Sequence, residues 1–226
     1  MPKKRKNTSQ WKPSKDECVT YEPWQTLTLT RIEADTRSQL ASKPHRLNHS
    51  LSVARMAEHL GVMYDVDPYL AKLAGLLHDW YKVLPRDELI KRASRLGIDL
   101  GVPLQRVEPL LHGMVAAREL PSRYPHIPQE VWHAIACHTS AAEDMGPLDM
   151  VLFVADGIEP LRRESPGIRA TRQLVGKAPL EDVFWNAFVG GIVYVLEGER
   201  YLLPRTIDIY NTIAQTRRVR RHFSSR

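Results

Sequence analysis

The sequence predicts an all-α fold, a single helical bundle with an N-terminal extension, and two observations carry that prediction. Apolar residues recur at helical spacing in one segment after another, and prolines and glycines punctuate those segments where helices begin and end. The only strand-like alternation, Gln25 to Thr30 with Leu27 and Leu29, has no second run to pair with. At 226 residues the chain is long enough to bury one good-sized core.

Taken in order, residues 1–40 read as a partly flexible extension, with Trp11 and Trp24 available to lie over the domain and a short helix at Ile32 to Leu40. The domain proper spans 41–216, and 217–226 form a basic tail. Ser42 offers an N-cap ahead of Pro44, and the helix that follows carries Leu47, Leu51 and Ala54 on one face and stops at Gly61. Asp67-Pro68 is a cap followed by proline, and its helix turns Leu70, Leu73, Ala74 and Leu77 inward before ending near His78-Asp79. Asp87 to Leu96 is short and closed by Gly97. Glu108-Pro109 opens a helix that Pro121 ends, and Pro128 opens one that runs to His138. Pro147 leads Leu148 to Ile158, apolar on most sides but for Asp149 and Asp156. Pro160 to Lys177 reads as an arginine-rich loop with a helical turn, Leu180 to Leu196 as a strong helix with a close-approach pair at Gly190-Gly191, and Pro204 to Arg217 as the last helix.

The net charge of +6 belongs to the ends of the chain. Nine basic residues sit there: Lys3, Lys4, Arg5, Lys6, Arg217, Arg218, Arg220, Arg221 and Arg226. The body is left with 23 basic against 26 acidic residues, so the tails read as solvated ends and nucleic acid is not an expected partner. No apolar run reaches the roughly 18 residues a membrane span needs, and the lysine-rich start is no secretory signal. Two cysteines, Cys18 and Cys137, argue against a disulfide scaffold and for a reducing, cytoplasmic setting. The sequence is compatible with a homodimer but does not require one.

Six polar residues stand where apolar ones are expected. His49 lies in the first long helix, His78 and Asp79 end the second, His112 follows Leu110-Leu111, His138 follows Ile135-Ala136-Cys137, and Asp156 follows Val151 to Ala155. A buried imidazole or carboxylate without a partner costs several kcal/mol, on the order of 2–7. Taken singly, each histidine reads as a hydrogen-bonded core residue, and Asp156 equally as a cap on a neighbouring helix or as a ligand. Taken together, they are best satisfied around a shared positive charge. Imidazole and carboxylate without thiolate suit iron, manganese, zinc or magnesium, and six ligands exceed one tetrahedral zinc but suit two ions. His45, His59, His126, His133 and His222 read as surface or loop residues.

The ordered set resembles a known family. His49, His78-Asp79 and Asp156 resemble the H…HD…D signature of the HD-domain metal-dependent phosphohydrolases, and His112 and His138 resemble the two extra histidines of its dinuclear subgroup. The segments Arg46-Leu-Asn-His49, Leu73-Ala-Gly-Leu-Leu-His78-Asp79-Trp-Tyr-Lys82, Leu111-His112-Gly113, Ala134-Ile-Ala-Cys-His138-Thr139 and Ala155-Asp156-Gly-Ile-Glu159-Pro160-Leu-Arg162 are similar to the YqeK-type hydrolases, over about residues 40 to 215. Two departures stand out: Leu161 replaces a family glycine, and Ser-Ala-Ala follows Thr139 in place of the family's Thr-Gly.

The resemblance implies symmetrical cleavage of diadenosine tetraphosphate into two ADP, with a metal-bound hydroxide as nucleophile. It implies two divalent or trivalent ions, iron in the family, held by His49, His78, Asp79, His112, His138 and Asp156, with Asp79 as the bridge and a catalytic ligand. Lys82, three residues after Asp79, is expected to reach a phosphate or help the leaving oxygen. Arg46, Thr139 and Arg162 are the other expected substrate contacts. Two further readings stay open at this point: an HD phosphohydrolase or phosphodiesterase for another nucleotide, and a nucleotide- or RNA-binding module without catalysis.

Overall fold

The computed structural model describes residues 19–224, with side chains to residue 219. The expectations placed on Lys3 to Lys6, Trp11, Cys18 and Arg226, and on the side chains of Arg220, Arg221 and His222, lie outside the described residues. The described chain is all-α: α1 (Pro23–Gln39), α2 (Pro44–Met63), α3 (Pro68–Leu77), α4 (Arg86–Arg95), α5 (Glu108–Arg123), α6 (Gln129–Cys137), α7 (Pro147–Ile158), α8 (Pro166–Leu174), α9 (Leu180–Glu197) and α10 (Pro204–Ser224), with a 3-10 turn at Leu104–Arg106. Each of these helices has proline at its N-cap or within its first two positions. Proline fits there because the missing N–H has no intrahelical partner and its φ is already helical.

The main core is built from α2, α3, α6, α7 and α9, with Leu29 and Ile32 of α1 packed into it. Leu60, Leu73, Leu77, Trp132, Ile135, Leu152 and Phe184 are among its fully enclosed side chains. A second, smaller cluster joins Leu89, Ala93, Ile98, Leu111 and Val115 between α4 and α5. Two close approaches bring the site-bearing helices together. A Cβ on Gly75 would lie 2.5 Å from Ala54 Cα, so only glycine lets α3 close on α2. A Cβ on Gly113 would lie 2.4 Å from Ile135 O and 2.7 Å from the His138 ring, so only glycine lets α5 close on α6.

Several boundaries differ from the sequence reading. Gln25 to Thr30 is part of α1, because its inward face repeats at Leu29, Ile32 and Thr36 while Leu27 is exposed. Lys43, not Ser42, precedes the first residue of α2, which runs through Gly61 to Met63. Gly61 sits there because a Cβ would come within 3.0 Å of Val66 O at the return of the chain. Pro121 lies inside the last turn of α5 rather than ending it. The helical turn expected within Pro160–Lys177 is the longer α8, nine residues capped by the Ser165 hydroxyl. A Cβ on Gly167 of α8 would lie 3.8 Å from Gly190 Cα of α9, an ordinary contact at the place where the glycine pair marks an approach, and a Cβ on Gly191 would meet nothing within 4 Å. The Asp67 cap holds as expected, its carboxylate accepting from Tyr69 N and Leu70 N. No described helix is long and apolar enough to cross a membrane.

Candidate metal centre

His49 comes from α2, His78 and Asp79 from the turn after α3, His112 from α5, His138 from the end of α6 and Asp156 from α7. The fold gathers all six. His49 Nε2 lies 2.9 Å from Asp156 Oδ1 and 3.8 Å from Asp79 Oδ2. His78 Nε2 lies 3.7 Å from Asp79 Oδ1 and 3.9 Å from Asp156 Oδ1. His112 Nε2 lies 3.1 Å from Asp79 Oδ1 and 3.1 Å from His138 Nε2. Five of the six are nearly closed to solvent, and the Asp156 side chain is 18% exposed.

Backbone carbonyls aim the rings. His78 Nδ1 donates to Gly75 O at 2.8 Å, and His138 Nδ1 donates to Ile135 O at 2.7 Å, each three residues earlier. With Nδ1 protonated, Nε2 of each ring is a bare acceptor turned to the centre. His112 Nδ1 is 3.0 Å from Pro109 O in the same register, but also 3.0 Å from Lys82 Nζ, so its tautomer can follow either partner. His49 differs, since its Nδ1 donates at 3.0 Å to the carboxylate of Glu159.

The charge pattern calls for a cation. Nε2 of His78 is fully buried and has no hydrogen-bond partner. Lone pairs of imidazoles and two carboxylates converge, and the described cationic donors at their edge are Arg46, 3.3 Å from Asp79 Oδ2, Arg162, bonded to Asp156, and Lys82, 3.0 Å from His112 Nδ1. Three groups of ligand atoms among the described residues, each mutually within 4.8 Å, could hold an ion, and two of them lie in this cluster: His49, His78 and Asp79, and Asp79, His112 and His138; the third is His133, Cys137 and Asp149. The two in the cluster share Asp79. A cluster so rich in acceptors fits metal ions of the imidazole–carboxylate type.

Without the metal, the titration behaviour reflects the same imbalance. Burial, aided by His112 and His78, presses His138 down to about 3. Burial likewise lowers His78 and Lys82. For His49 burial opposes the charged form, but hydrogen bonds to Asp156 and Glu159 outweigh it and raise the ring to about 9. Asp79 and Asp156 stay ionised despite burial, Asp79 through His78 and His112, and Asp156 through Arg162 and His49.

The expected substrate contacts fall in different places. Lys82 Nζ reaches the cluster and also donates to Pro109 O at 3.0 Å. Arg46 and Arg162 stand at its rim, each on a carboxylate, and Arg162 Nε donates to Asp156 O at 2.8 Å. The Thr139 hydroxyl is turned to Leu110 O at 3.4 Å, tying the end of α6 to α5. Leu161, in place of the family's glycine, is not among the described residues with positive φ, so the loop does not need glycine there. Glu159 was given no role from sequence, although it follows Asp156 by three; it is 1% exposed, and its second oxygen accepts from Leu161 N at 2.6 Å. His133 lies within α6 and pairs with Asp149, whose carboxylate also accepts from Gly146 N.

Comparison with known proteins gives a consistent picture. The family model described as "HD domain" matches residues 46–161. A symmetrical bis(5'-nucleosyl)-tetraphosphatase of Staphylococcus aureus is 32% identical over 74% of this chain and 85% of the relative. A protein of the same name from Halalkalibacterium halodurans is 28% identical over 75% of this chain and 89% of the relative. A solved structure from Clostridium acetobutylicum, titled as a predicted HD superfamily hydrolase involved in NAD metabolism, superposes with a TM-score of 0.73. It is 29% identical and covers 83% of this chain and 97% of its own.

Proposed function

The chain belongs to the HD-domain family, and on that premise we propose that it hydrolyses diadenosine tetraphosphate symmetrically to two ADP, with two metal ions at the cluster. The observation that carries the reading is the sharing of Asp79 between two three-residue ligand groups. The names of the relatives, matched over most of their length, supply the substrate.

His49, His78 and Asp79 would hold one ion and Asp79, His112 and His138 the other, with Asp156 beside His49 and His78. Two such ions supply an activated water at neutral pH and neutralise charge on the phosphoryl oxygens. The protein's own part is positioning. The carbonyls of Gly75 and Ile135 and the carboxylate of Glu159 fix three rings, so that no ring must reorient during the reaction. Arg46, Lys82 and Arg162 supply the cationic donors that a chain of four phosphates requires. Lys82, with its pKa lowered by burial, is placed to give a proton to the leaving phosphate oxygen. Thr139 would have to turn its hydroxyl from Leu110 O to donate to a phosphate. We assign iron by the family resemblance; the donor set suits it. The free, buried Cys137 fits a cytoplasmic location.

The test is product analysis with metal-loaded protein. ADP as sole product supports the reading, ATP plus AMP overturns the position of the cut, and no product overturns the substrate. A parallel arm with other nucleotides, NAD included, separates the reading from another HD phosphohydrolase, and metal uptake without any turnover would favour a binding module.

A further inference from the structure

The turn from His78 to Leu84 carries three of the candidate site residues, yet it is not a regular helix. Its carbonyls therefore lack the partners a continuing helix would supply. Side chains from outside the matched stretch 46–161 take that place. Gln39 Nε2 donates to Trp80 O at 3.1 Å and Lys43 Nζ to Lys82 O at 3.1 Å, while just before the turn Thr36 Oγ1 donates to Leu76 O of α3 at 3.3 Å. Thr36 and Gln39 lie three apart on one face of α1, and Lys43 stands at the N-cap of α2, just past the turn that joins the two helices. The Trp80 side chain is gripped as well: Arg123 lies 5.2 Å over its ring and Tyr124 meets it edge-on. Asp35 of α1 holds both of those residues, accepting from Tyr124 Oη at 2.8 Å and pairing with Arg123 at 3.3 Å.

We propose that Gln39 and Lys43 are positioning residues: their hydrogen bonds to Trp80 O and Lys82 O fix the turn that presents Asp79 and Lys82 to the reaction. The inference rests on the hydrolase reading above and gives the segment before residue 46 a role in catalysis. Neither residue touches the cluster. They act through the backbone that directly follows Asp79, whose shared position leaves little room for displacement.

The experiment uses the full chain with Gln39→Leu and Lys43→Met, which keep bulk but remove the donor, and Lys43→Arg, which keeps one. Leu29→Ala is the control, because it weakens the α1 packing without touching the turn. Each protein is measured for melting temperature, metal content, rate of metal loss to a chelator, and kcat and KM on diadenosine tetraphosphate. The expected result is a kcat lower by on the order of tenfold in Gln39→Leu and Lys43→Met, as a displaced catalytic group gives. Faster metal loss should accompany it at unchanged metal content, with recovery in Lys43→Arg and with Leu29→Ala losing melting temperature alone. Wild-type kcat and chelation rate in both donor-less variants would overturn the inference, whatever happens to their melting temperatures. If wild-type protein leaves the substrate intact, the hydrolase reading fails, and the chelation rates still decide the role of Gln39 and Lys43.

Discussion

His112 and His138 meet nitrogen to nitrogen, Nε2 to Nε2 at 3.1 Å, where α5 and α6 are brought together at Gly113. Because His138 Nδ1 is committed as a donor to Ile135 O, its Nε2 can only accept. Such a meeting is stable only with a proton or a metal ion between the rings or beside them. Gly113→Ala should force the helices apart, since the new methyl would enter both Ile135 O and the His138 ring. We expect a loss of roughly 2 kcal/mol or more in the unfolding free energy, in the range for overpacked cores. Metal content per chain should fall with it, read by denaturant melts and elemental analysis on one sample. Unchanged stability and metal content would contradict this account of the contact.

Asp79 is the residue both ligand groups need. Asp79→Asn keeps its shape and removes its charge. Metal content should fall and turnover should drop by more than about 100-fold, beyond what loss of an outer-shell partner gives. Asp79→Asn with full activity would remove Asp79 from the site.

Glu159 is the carboxylate behind His49, with its two oxygens taken by His49 Nδ1 and Leu161 N. Glu159→Ala should weaken metal binding by on the order of 10–100-fold, and Glu159→Gln by less, because the amide oxygen still accepts from Nδ1. Competition with a chelator measures both. Equal affinity in all three proteins would show that His49 needs no such support.

Metal uptake should be coupled to protons through His49. Its pKa near 9 in the metal-free protein means that the ring is charged at neutral pH. A ligand must be neutral, so binding expels that proton. Affinity should therefore rise with pH, by about a decade per unit for one proton, up to about pH 9 and flatten above it. His138, pressed to about 3, is already neutral at pH 7 and adds nothing to this slope. Calorimetry in buffers of different ionisation enthalpy counts the protons released; an affinity independent of pH between 7 and 9 would contradict the assignment.

Much of this protein can be read along its sequence because prolines mark the helix starts and apolar spacing marks their inward faces. The six residues of the cluster were legible for a related reason, since each breaks an apolar run at a place where solitary charge is costly. What the sequence could not show depends on pairs far apart in the chain. Glu159 meets His49 across 110 residues, and nothing local distinguishes it from a helix-end carboxylate. Gly75 and Gly113 are ordinary helix glycines until Ala54 and Ile135 are seen against them. Gln25 to Thr30, the first half of the N-terminal helix, looks strand-like because Leu27 and Leu29 alternate by chance, exposed and buried, and only Ile32 and Thr36 reveal the helical face.

The most direct test of the central claim is hydrolysis of diadenosine tetraphosphate in heavy-oxygen water by the metal-loaded protein, read by mass spectrometry. Attack of water on an inner phosphorus, with its bond to the central bridging oxygen broken, predicts ADP alone, one of each pair carrying a single heavy oxygen, and no reaction after chelation. ATP with AMP, turnover that survives chelation, or no turnover by fully loaded protein would contradict it.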